Sequence, residues 1–176
     1  MDYTLRAATT NISRVYFHHG TVGNCQYCFW GRYSMGAPYY GATAAVALMA
    51  GGRTITALDA GNTNDGVYVV FDGEGKPLRV LLYNSEYYAG GGARRGVQVF
   101  TLTGLGAVAS VRAKRLTAAS SLARADRGDE ISFGGQKWTD GTCVVAGAEV
   151  FETTKVENGQ AAFEVKAAEA LLVYLR

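Results

Sequence analysis

From residue 53 to the C-terminus the sequence breaks into strand-length runs with turn signals between them, and this pattern limits the fold more than any other feature. "TITALDA", "GVYVVFD", "LRVLLYNSEYY", "GVQVFTLTG", "VASVRAKRLTA", "TCVVAGAEVFETTKVENG" and "QAAFEVKAAEALLVYLR" are rich in β-branched and aromatic residues, and many alternate apolar with polar. "DGEGKP", "AGGGAR", "GLGA" and "ENG" separate them. Seven to nine short strands with no helical period between them predict an antiparallel β-sandwich. Residues 118–140 are polar and predict a long surface loop.

Residues 1–52 follow a different pattern. "SRVYFHHG" is a continuous apolar run of the kind that suits a strand buried on both faces, as in a parallel sheet. A loop follows to about residue 36. Pro38 then suits the first turn of a helix, and "PYYGATAAVALMA" runs to a natural stop at Gly51-Gly52. "DYTLRAATT" reads as the end of a further helix that has neither cap nor lead-in, as in a chain cut from a longer one. The unit is helix, strand, loop, helix. The fold class is therefore mainly β, with residues 1–52 as an α/β element and residues 53–176 as the sandwich.

Composition excludes several functions. A net charge of +2 with scattered Lys and Arg gives no electrostatic support for nucleic-acid binding. No run approaches the ~18 apolar residues of a membrane span. The N-terminus lacks the basic start, apolar run and cleavage site of a secretory signal, so the chain as written is expected in the cytosol.

The densest chemistry lies in "RVYFHHGTVGNCQYCFWGRY", residues 14–33. Adjacent residues on a strand point to opposite faces, so only one of His18 and His19 can face a common interior. That face offers no second ligand, and no metal is expected. Cys25 and Cys28 form a C-x-x-C without a second such pair, and Cys143 is distant. The spacing fits a redox pair, half a zinc site, a loop disulfide or free thiols.

The same residues, with "GAPYYGA", "KPLRVLLYNSEYY", "VRAKRLTA", "SFGGQ", "DGTCVVAGAEVFE" and "EALLVYL", resemble the C-terminal part of fungal β-glucuronidase-like proteins of glycoside hydrolase family 79, relatives of the heparanases. The resemblance covers essentially the whole chain. It implies that residues 1–52 are the last α/β element of a (β/α)8 barrel, with the chain entering the sandwich at about residue 53. It also implies a substrate-binding wall, because loops after barrel strands build the active site. Tyr27 is the best match to a family tyrosine near the substrate carboxylate, and Tyr33 is second. Trp30 would stack on a sugar face, and Asn24, His18 or His19 would bond hydroxyls. The implied partners are the rest of the barrel or a second chain, and a uronic-acid glycan, with no cofactor. The family is secreted.

Retaining glycosidases need two carboxylates ~5–5.5 Å apart. The family places both, as glutamates, on earlier barrel strands. Residues 3–58 contain no Asp or Glu, and Asp59 is the first carboxylate afterwards. The chain alone is therefore expected not to hydrolyse glycosides. The competing reading is a freestanding, non-catalytic carbohydrate-binding or interaction sandwich. If the barrel reading holds, the strand at 14–19 and the helix at 38–50 lack neighbours and should expose a large apolar patch.

Overall fold

The computed structural model describes residues 1–19, 27–92, 94–106 and 108–176. Two helices come first, α1 (Asp2–Thr9) and α2 (Ala37–Met49). Proline stands in the first turn of α2, and Gly51 beyond its end adopts φ +70°, the left-handed conformation that stops a helix. The buried residues of α2 are Tyr40, Ala44, Ala45 and Leu48, a single stripe at helical spacing.

The strands are β1 (Thr54–Ala57), β2 (Asp65–Phe71), β3 (Pro77–Asn84), β4 (Val97–Leu102), β5 (Ser110–Ala118), β6 (Ile131–Phe133), β7 (Lys137–Trp138), β8 (Val145–Ala146), β9 (Glu152–Lys155), β10 (Ala161–Lys166) and β11 (Glu169–Tyr174). The main sheet is antiparallel, in the order β1-β2-β3-β11-β5-β6. One edge of β5 pairs with β6 toward its C-terminal end and with β9 toward its N-terminal end. β10 and β4 form a second, two-stranded sheet, and β7 with β8 a small hairpin.

The main sheet is covered on both faces. Val69, Val80, Leu82, Leu171 and Val173 pack against Phe100 of β4 and Phe163 and Val165 of β10. The alternate residues Tyr68, Val70, Leu81, Ala170 and Leu172 pack against Leu5 of α1 and Ala44, Ala45 and Leu48 of α2. A strand with two dry faces needs apolar side chains at odd and even positions, which explains unbroken runs such as "VYVVF" and "ALLVY". The layers are helices, large sheet and small sheet.

Four expectations are corrected. Residues 12–19 belong to no helix or strand; Tyr16 is 83% exposed and Phe17 45%. A parallel strand needs a flanking ladder, and none reaches this segment among the described residues. The helix expected at 38–50 is not left without neighbours, because the sheet covers its buried stripe. Residues 118–140 are not all surface loop: they contain β6 and β7, with Ile131 and Phe133 buried. The final run splits into two strands in different sheets, joined at Ala167-Ala168, where Ala168 has φ +58°.

Candidate functional site

The stretch between α1 and α2 carries the residues singled out from the sequence. Phe17 lies edge-on to Tyr3 with ring centroids 6.0 Å apart, and 5.6 Å from Phe29. Phe29 meets Trp30 at 6.2 Å, and Trp30 meets His19 at 4.7 Å. A continuous aromatic row results. His18 is exposed. His19 is partly covered, and both its ring nitrogens are buried without a hydrogen-bond partner. The two histidines thus meet different surroundings, and only His19 joins the row. Asn24 and Cys25 lie outside the described residues.

Residues 29–36 turn back on themselves. The Gly36 N–H donates to the Phe29 carbonyl and the Gly31 N–H to the Ser34 carbonyl, both at 2.8 Å, and Trp30 bridges Met35. A Cβ on Gly36 would sit 1.9 Å from the Cys28 carbonyl oxygen, so only glycine fits this turn. Cys28 itself is 7% exposed and disulfide-bonded, whereas Cys143 is free. The aromatic side chains on this loop stay half in solvent: Tyr27 is 49% exposed, Trp30 50% and Tyr33 57%. The Arg32 guanidinium lies 5.1 Å from the Tyr33 ring centroid.

The β-domain grips this loop. The Gly141 N–H, in the β7–β8 connection, donates to the Tyr33 carbonyl at 2.6 Å. The Trp138 indole meets Tyr39 at 5.0 Å and Tyr40 at 4.6 Å, both nearly perpendicular. The backbone N–H of Trp138 donates to the Tyr40 hydroxyl at 3.1 Å. Burial raises the Tyr40 pKa, so the hydroxyl stays protonated and remains an acceptor there. Arg124 pairs with Asp126, and this bond, with the nearby Tyr27 phenol and Asp129 adding, holds its pKa up. Sequence reasoning missed Trp138 and Gly141. A lone tryptophan within a polar run was the available signal.

The carboxylates nearest in sequence are already engaged. Asp2 accepts a hydrogen bond from the Tyr68 hydroxyl. Asp59 accepts from Arg6 at 2.6 Å, the Val67 N–H at 2.8 Å and the Gly61 N–H at 2.9 Å. Burial pushes Asp59 up, but these donors together hold it below the ordinary carboxylate range. Glu169 is buried beneath Arg115 at 2.8 Å, Thr117 at 2.7 Å and Arg95 at 3.4 Å. A carboxylate held in this way is a structural anchor and a poor proton shuttle. The described residues present no cluster of His, Cys, Asp or Glu suited to a metal ion. Chemically, the loop offers stacking surfaces and hydroxyls and no acid–base pair.

Residues 67–172 match the family model described as "Glycosyl hydrolase family 79 C-terminal beta domain". Among solved structures, the chain is similar to a 4-O-α-L-rhamnosyl-β-D-glucuronidase from Fusarium oxysporum 12S in its Rha-GlcA complex, with 49% identity and a TM-score of 0.84. The match covers 90% of this chain and 34% of that one, so the chain spans about a third of that enzyme's length. No curated protein matches the chain.

Proposed function

The chain belongs to glycosyl hydrolase family 79, and from that membership we propose that it works as the C-terminal segment of a β-glucuronidase-like enzyme, buttressing a (β/α)8 barrel and lending it one wall of a uronic-acid pocket. The observation that carries this is the half-exposed aromatic set Tyr27, Trp30 and Tyr33 on a loop whose backbone is pinned from the β-domain. Trp30 offers a face for stacking on a sugar ring, and Tyr27 a hydroxyl for the uronate carboxylate. Asn24 and His18 complete the set of hydroxyl partners, whereas His19, expected from the sequence as another, has both ring nitrogens buried and backs the Trp30 ring instead. The two carboxylates of a retaining mechanism come from barrel strands outside this chain.

The Fusarium enzyme's complex contains a rhamnose joined to glucuronate, so the same class of capped uronide is the first substrate to try. Partners on this reading are the rest of the barrel, in the same or a second chain, and the glycan. The disulfide at Cys28 supports an oxidising, extracellular setting for the whole enzyme.

The test is hydrolysis of 4-nitrophenyl β-D-glucuronide by the 176-residue chain and by the same chain joined to a family barrel segment. Turnover is expected only from the joined form. Turnover by the short chain alone would sink this reading. One observation favours the freestanding sandwich instead: the helices close the second face of the main sheet within this chain. Glycan binding by the short chain, with no gain on adding a barrel segment, would favour that alternative.

A further inference from the structure

We infer that the β7–β8 hairpin is a positioning device for the pocket wall, with Trp138 and Gly141 acting as positioning residues for Tyr27, Trp30 and Tyr33. This rests on the reading that loop 27–36 forms that wall. Apart from the Cys28 disulfide, loop 27–36 is closed on itself by two backbone bonds, which together make the Trp30–Met35 bridge, and three of its aromatic rings stand half in solvent. The hairpin grips it at two separated points. Trp138 wedges edge-on against Tyr39 and Tyr40, just beyond the base of the loop, where it enters α2. Gly141 binds the carbonyl of Tyr33, at the tip. One contact would leave a hinge, whereas two fix an orientation.

The gripping element is itself rigid and anchored. Thr139 donates its N–H to the Val144 carbonyl and accepts from the Cys143 N–H, both at 2.9 Å. The hydroxyls of Thr139 and Thr142 meet at 2.6 Å. Trp138 also packs on the cluster of Tyr40, Ala123 and Ile131, which ties the hairpin to α2 and β6. Gly141 has φ +83° and open space where a Cβ would stand. Its glycine therefore serves the backbone turn that aims the N–H at Tyr33, and no close contact requires it. In a joined enzyme the hairpin would hold the wall in place before substrate arrives, and would act on affinity more than on the chemical step.

The experiment is amide hydrogen exchange on the 176-residue chain carrying Trp138→Ala, Trp138→Phe or Tyr39→Leu. The loss of one aromatic pair converts to about a three- to tenfold shift in local opening. Trp138→Ala should speed exchange at Gly31, Gly36 and Gly141 by at least that much, with Val80, Leu172 and Val173 unchanged. Trp138→Phe, which keeps an edge-on ring, should restore most of the protection. If Trp138→Ala also loosens the core, Tyr39→Leu decides, since it removes one ring contact at the helix surface. Unchanged exchange at Gly31 and Gly36 in Tyr39→Leu, or in a folded Trp138→Ala, overturns the proposal. In the joined enzyme Trp138→Ala should raise KM about tenfold with kcat nearly constant, and equal losses in kcat and kcat/KM overturn the positioning role. The exchange result needs no glycoside. If the joined enzyme proves inactive on every uronide, the pocket reading falls while the measured grip stands.

Discussion

Arg115 of β5 reaches to the adjacent strand β11 and holds the buried carboxylate of Glu169 at 2.8 Å, and a second ion pair joins Arg115 to Glu152 at 2.6 Å. Thr117 donates to the other oxygen of Glu169 at 2.7 Å. Breaking a buried pair leaves an uncompensated charge and costs about 3–5 kcal/mol. Glu169→Ala should therefore lower stability by about 3 kcal/mol in urea denaturation. Arg95→Met, which removes the longer 3.4 Å contact and the Arg95 Nε bond to the Ala167 carbonyl at 2.8 Å but leaves Arg115 and Thr117 on the carboxylate, should cost less. Equal losses from both would mean that the charges share the load evenly.

The helices contribute to the core of the β-domain. Leu48 of α2 is 0% exposed against Tyr68, Val70 and Leu172, so Leu48→Ala should destabilise the whole chain by about 3 kcal/mol. Val46, two residues earlier on the opposite side of α2 and 70% exposed, should tolerate alanine within about 0.5 kcal/mol. Thermal melts of both variants, followed by circular dichroism, check the contrast.

Asp59 ties α1 to the sheet through Arg6, and its folded pKa lies below the ordinary value near 3.9. Between the folded and unfolded values the unfolded chain binds the extra proton, so acid favours unfolding. The contribution is complete above about pH 5 and fades as pH falls below about 4 and through the folded value. Stability measured from pH 6 to 2.5 should drop more steeply in the parent than in Asp59→Asn. Parallel curves would remove Asp59 from the account.

Iodoacetamide should label Cys143 and leave Cys28 unmodified until a reductant is added, because Cys143 is a free thiol and Cys28 sits in a disulfide. Peptide mass spectrometry before and after reduction reads this directly. Labelling of Cys28 without reductant would show the bond open in solution.

Much of this molecule was legible from spacing alone. Pro38 and Gly51 bracketed α2, and the runs around Val69, Leu81 and Leu172 marked the central strands. The misses have local causes. Residues 12–19 carry strand chemistry, but a strand forms only where a ladder meets it. β6 is three residues long, too short for alternation to rise above the polar residues around Ile131 and Phe133. The turn at Ala168 uses alanine in a left-handed conformation, so no Gly or Asn announced it. Of the candidate wall, His19 and Trp30 are brought together by stacking, while Tyr33 is linked to Gly141 more than a hundred residues away. No single-sequence pattern encodes so distant a contact.

Because α1 and α2 seal one face of the main sheet, the strands alone are not the smallest graft that would survive in a new host protein. A recombination breakpoint between Met49 and Thr54 would bare Tyr68, Val70, Leu81 and Leu172 at once. Lineages that shuffle this module should therefore inherit the helices with the strands, including the loop between the two helices.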